Sequence, residues 1–97
     1  MKNIQTSQTD LLFQAISCIN SAEEGFDFFK DLCTVKEIQD MAQRFEAAYM
    51  LTRGKSYAEI SAGLGISSAT IGRVNSCLKY GDGGYSSIIA KMEDKGR

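Results

Sequence analysis

Histidine, tryptophan and proline are absent from this 97-residue chain, and each absence narrows what it can be. Without histidine the common zinc patterns fail and the most frequent general base is missing. Without proline, helices can run uninterrupted. Without tryptophan, the chain has no indole emission of its own. Cysteine is sparse: Cys18, Cys33 and Cys77 lie far apart with no CxxC pair, and read as reduced thiols used as small hydrophobes. Long apolar runs are missing too, the longest being Ala47 to Leu51, far short of a membrane span. The start, Met1 to Thr6, is too polar for a secretory leader. The expectation is a soluble, cytoplasmic protein with no membrane partner.

Net charge is −1, which alone argues against nucleic-acid binding, but its distribution points the other way. Residues 53–80 hold Arg53, Lys55, Arg73 and Lys79 against Glu59 alone, a local balance of +3 that leaves −4 for the rest. A basic window on an acidic body is the pattern of a localised phosphate-binding face.

The apolar positions recur at helical spacing, and strand-like alternation is missing. Leu11, Leu12, Ala15, Ile16 and Ile19 mark a first helix, with Ser7 or Thr9 as its cap. Ser21 with Glu24, Thr34 with Glu37 and Ser56 with Glu59 have capping-box spacing, each opening a helix. The second box starts the longest helix, with Ile38, Met41, Ala42, Phe45, Ala48 and Tyr49 on one side and Gly54 as its stop. Gly63 and Gly65 break the next helix, and Ser67 or Ser68 caps the one after. Gly81, Gly83 and Gly84 mark a loop before a last helix at about 85–92, beyond which the charged residues 93–97 are expected to fray. This predicts an all-α protein of about six helices, a single domain over 1–97. Phe13, Phe26, Phe28 and Phe29 are a heavy apolar load for two short helices. They favour an intertwined homodimer over a monomeric bundle.

The segment from Ser56 to Asn75 has the shape of a helix-turn-helix, over about 56–80. Ile60, Leu64, Ile66, Ile71, Val74 and Leu78 fall where two crossed helices share a small core. Ser61 is small where they approach, and Gly65 suits the turn. The second helix exposes Ser67, Ser68, Ala69, Gly72, Asn75 and Ser76, small side chains that let a backbone sit deep in a major groove. Ala69 and Thr70 can meet a thymine methyl. Lys55, Arg53 and Lys79 suit phosphate contacts, and the Tyr57 hydroxyl can donate to one.

The run Ala69 to Lys79, preceded by Leu64 and Gly65, resembles the recognition helix of the bacterial tryptophan repressor family. Leu32, Thr34, Glu37, Arg44, Leu51, Arg53 and Gly54 resemble that family at matching spacing upstream, so the likeness spans about residues 30–80. The resemblance implies a six-helix interlocked homodimer that regulates transcription from a palindromic operator in double-stranded DNA. On that reading Ser67, Ser68, Ala69, Thr70 and Gly72 face the groove, while Lys55, Tyr57, Arg73 and Lys79 hold the backbone. In the family, two arginines sandwich the amino-acid effector between the long helix and the recognition helix. Arg44 and Arg73 match them, and Thr34 matches a further pocket position.

Two departures stand out. The pocket serine is Cys77 here, a weaker hydrogen-bonding group, and the pocket glycine is Val74, which adds bulk where a flat ring would lie. Together they argue against tryptophan as the effector, and no cofactor is expected. An interaction module that kept the hairpin and lost DNA is the alternative. An enzyme is the weakest reading, since no nucleophile motif accompanies the missing histidine.

Overall fold

The computed structural model describes residues 4–95, and the end of the expected fraying tail, Gly96 and Arg97, lies outside them. Among the described residues there are six helices and no strand: α1 (Ser7–Ile16), α2 (Ala22–Leu32), α3 (Val35–Thr52), α4 (Tyr57–Leu64), α5 (Ser68–Tyr80) and α6 (Gly84–Lys95). The chain divides into two compact units, residues 1–38 and 39–97.

In the first unit, caps fix where each helix begins. Neither Ser7 nor Thr9 caps α1. Thr6 does, its hydroxyl accepting from the Thr9 amide at 3.1 Å while its own amide donates to the Thr9 hydroxyl at 2.8 Å. Threonine is long enough to close both halves of the box, so Thr9 takes the place usually held by a glutamate. The Ser21 hydroxyl accepts from the Glu24 amide at 3.1 Å, but the Glu24 carboxylate turns to the amide of Asn20, at 2.7 Å, instead of that of Ser21. The Thr34–Glu37 box closes fully, at 3.1 and 2.8 Å. Neither α1 nor α2 buries a residue. Phe28 and Phe29 pack edge to face with ring centroids 5.6 Å apart, while Leu11, Phe13 and Phe26 remain exposed.

The second unit has a closed core. Ala47 and Ala48 of α3, Ile60 of α4, Ile71 and Val74 of α5 and Ile89 of α6 are buried, flanked by Phe45, Tyr49, Met50, Leu51, Leu64, Ile66, Leu78 and Tyr85. The two alanines let α4 and α5 lie close to α3. Met41 and Ala42, expected on the apolar face of the long helix, are exposed, so α3 is buried through its C-terminal half only. Gly54, at φ 82°, ends α3 with a Schellman pair in which Lys55 donates to the Met50 carbonyl and Gly54 to that of Leu51.

The tail does not fray at residue 93. Helix α6 runs to Lys95, and Glu93 meets Arg53 at 3.0 Å. Arg53 also donates to the Tyr49 hydroxyl at 2.6 Å, with its guanidinium 4.9 Å from the centre of that ring. The hydrogen bond to Tyr49, then the Glu93 carboxylate, raise the pKa of the Arg53 guanidinium above its ordinary value. An arginine expected to flank the motif as a phosphate contact is therefore engaged within its own unit.

Candidate nucleic-acid interface and the adjoining cleft

Helix α4 starts from the Ser56–Glu59 box, closed at 3.1 Å by the serine hydroxyl and at 2.9 Å by the carboxylate. The backbone hydrogen bond from Ser56, then its hydroxyl, hold Glu59 below the usual carboxylate range. Gly63 stays inside α4, and the break falls at Gly65 alone, whose φ of 68° is the left-handed conformation that only a residue without Cβ adopts freely. The Ser61 hydroxyl donates to the Ile66 carbonyl at 2.8 Å. This bond ties α4 across the turn to the segment that leads into α5.

Ser67 is the N-cap of α5, its hydroxyl accepting from the Thr70 amide at 3.2 Å. By helix geometry the Ser68 and Ala69 amides have no carbonyl to meet within α5. They lie at the positive end of the helix dipole, where an anion is favoured.

By helical register, Ala69, Gly72, Arg73, Ser76 and Tyr80 share the side opposite Ile71, Val74 and Leu78. Gly72 is the informative member. A Cβ built on it meets nothing within 4 Å, and its φ is not positive. The fold therefore does not require a glycine there, although a mid-helix glycine costs about 1 kcal/mol relative to alanine.

One flank of α5 carries Ser68, Gly72, Asn75 and Lys79, and there the Asn75 amide donates to the Tyr57 hydroxyl at 3.0 Å. Lys55 and Lys79 are exposed.

The other flank closes a cleft of about 560 Å³ lined by Asp40, Gln43 and Arg44 of α3, Ile66 and Ser67 of the turn, Thr70, Arg73, Val74 and Cys77 of α5, and Tyr85 of α6. Arg44, Arg73, Val74 and Cys77, paired at sequence level only by resemblance, thus surround one space. Val74 is 3% exposed, so it belongs to the core as well as to the cleft wall. Thr70 turns to this side, 3.1 Å from the Ser67 hydroxyl and 3.5 Å from Arg73. Thr34 belongs to the first unit and caps α3.

Sequence reasoning missed Asp40, Gln43, Ile66 and Tyr85. The α3 pair was within reach, since Asp40 stands four residues before Arg44 on the same helical face. Tyr85, which follows a glycine-rich loop, has no local signal.

This hairpin, with its cleft between long helix and second helix, defines a class: the chain belongs to the Trp repressor protein family, whose profile matches residues 7–93. It is similar to the uncharacterized protein YerC of Bacillus subtilis (strain 168), 41% identical over 91 residues that cover 94% of this chain and 88% of that one. The crystal structure of a TrpR-like protein from Eubacterium eligens matches with a TM-score of 0.89 at 41% identity, over 93% of each chain. No helix among the described residues is long and apolar enough to cross a membrane.

Proposed function

We propose that this protein is a cytoplasmic, homodimeric, sequence-specific DNA-binding repressor of transcription that reads the major groove with α5. The observation that carries the reading is Gly72, a helix-interior glycine facing open space on the outer side of α5. Such a position is used well when another surface must come closer than a Cβ allows. Ser68, Ala69 and Gly72 supply the groove-facing surface, Ser67 and Thr70 edge it from the cleft side, and Lys55, Tyr57, Arg73 and Lys79 hold phosphates. Family membership supports regulation of DNA over catalysis. The exposed Leu11, Phe13 and Phe26 of α1 and α2 support a second subunit that covers them.

Two copies of α5 then address successive major grooves of a palindromic operator about one helical turn apart. Selection of bound duplexes from a random library tests this. The expected result is a palindromic consensus with that half-site spacing. Absence of any enrichment would favour a helical interaction module instead.

The cleft favours a second role, as an effector site. Arg44 and Arg73 line one space together with Tyr85, suited to a small anionic molecule held by charge and stacking. Val74 and the Cys77 thiol disfavour tryptophan. Because the chain contains none, emission of added tryptophan reports directly on binding. No shift is expected at millimolar concentration, and a saturable shift would refute the exclusion.

A further inference from the structure

Tyr57 and Asn75 stand 18 residues apart in sequence, yet the amide of Asn75 reaches the phenol oxygen at 3.0 Å. Tyr57 is the first residue of α4, its backbone set by the Ser56–Glu59 box. Asn75 lies on the flank of α5 that also carries Lys79, one turn further on. The pair is at the surface, with Tyr57 38% exposed, so the bond satisfies no buried polar group and adds little to stability. A hydroxyl has one proton and two acceptor lone pairs. With the Asn75 amide donating into one lone pair, the Tyr57 proton is left to donate to a different acceptor. Lys55, two residues earlier, is the nearest cation in sequence and is exposed.

We infer that Asn75 is a positioning residue that fixes the Tyr57 hydroxyl as a hydrogen-bond donor to a DNA phosphate. The inference rests on the DNA-binding reading above. It gives the α4–α5 pair a rigid contact to the backbone beside the groove that α5 enters, made without a net charge. Such contacts set register and orientation instead of reading bases. Asn75, grouped from sequence with the groove-facing residues, acts through Tyr57.

The test is fluorescence anisotropy of the full chain on a labelled mixed-sequence duplex across a range of salt. Wild type, Tyr57→Phe, Asn75→Ala, the double variant and Asn75→Asp are compared, with thermal unfolding as the control on folding. Tyr57→Phe is expected to weaken binding about tenfold, the loss of one hydrogen bond to a charged group. Asn75→Ala weakens it less, and the double variant matches Tyr57→Phe, because the two residues form one device. Asn75→Asp keeps the shape but turns the Tyr57 proton inward, and binds at least as weakly as Tyr57→Phe. The salt slope of Tyr57→Phe and Asn75→Ala stays that of wild type, since a neutral hydroxyl displaces no counterion.

Wild-type affinity in Tyr57→Phe, or losses that multiply in the double variant, would overturn this inference while leaving DNA binding in place. A wild-type chain that binds no duplex even at low salt would overturn the DNA reading, and this inference with it.

Discussion

The Ser61 hydroxyl donates to the Ile66 carbonyl at 2.8 Å, a partly buried bond that spans the turn between α4 and α5. Gly65 at φ 68° sets the direction of the turn, and Ser61 holds the emerging strand of chain against α4. Ser61→Ala removes a hydrogen bond worth about 1 kcal/mol, partly offset by alanine's better helix propensity of about 0.5 kcal/mol. Urea unfolding should show a small net loss of stability, with Ser61→Thr nearer to wild type than Ser61→Val.

Gly72 yields a prediction with opposite signs for fold and function. Gly72→Ala adds a methyl in open space, so it should stabilise the chain by about 0.8–1 kcal/mol. The same methyl should weaken duplex binding by about tenfold or more, by holding α5 away from the groove. Thermal unfolding and anisotropy on one preparation check both. A variant that gains stability and keeps full affinity would remove Gly72 from the interface.

Much of this was legible in the chain because local chemistry decides it. Thr34 with Glu37 and Ser56 with Glu59 satisfy orphan amides within a few residues, so their spacing alone fixed two helix starts. Gly54 and Gly65 ended helices for an equally local reason, a left-handed backbone. The limits appear where a choice depends on distant neighbours. Glu24 has two amides within reach, those of Ser21 and Asn20, and its carboxylate takes that of Asn20, a choice that capping-box spacing alone does not make. Residues 93–95 read as a polar tail because nothing nearby shows that Glu93 has a cation forty residues away in Arg53. The cleft divides the same way. Arg44 and Arg73 were paired only through resemblance, while Tyr85 enters the site from another helix with no periodic signature.

Arg53 separates the two kinds of reading. Its guanidinium is held by Glu93 at 3.0 Å and Tyr49 at 2.6 Å, so Arg53→Ala should leave the salt slope of duplex binding unchanged. Lys79→Ala should lower the magnitude of that slope by about 0.9 for each phosphate contact removed. Because the Arg53–Glu93 pair is half exposed, Glu93→Gln should lower the unfolding midpoint only slightly, a loss that fades in high salt.

Acid should loosen α3 and α4 first at their starts. Glu37 and Glu59 are held below the ordinary carboxylate range by hydrogen bonds from the Thr34 and Ser56 backbones and then from their hydroxyls. A depressed folded value means that each box contributes fully above the unfolded value of about 4.3 and is lost as pH falls through the lower folded value. Unfolding midpoints should therefore hold steady above about pH 5 and decline below about pH 4. Glu37→Gln and Glu59→Gln should each flatten that decline.

The salt dependence of wild-type affinity for its selected duplex is the most direct measurement of what this chain does. A straight line of falling log affinity against log salt is expected, with a slope of about −0.9 for each phosphate neutralised by Lys55, Arg73 and Lys79 across a dimer. Affinity that stays flat as salt rises, or no binding at low salt, would contradict it.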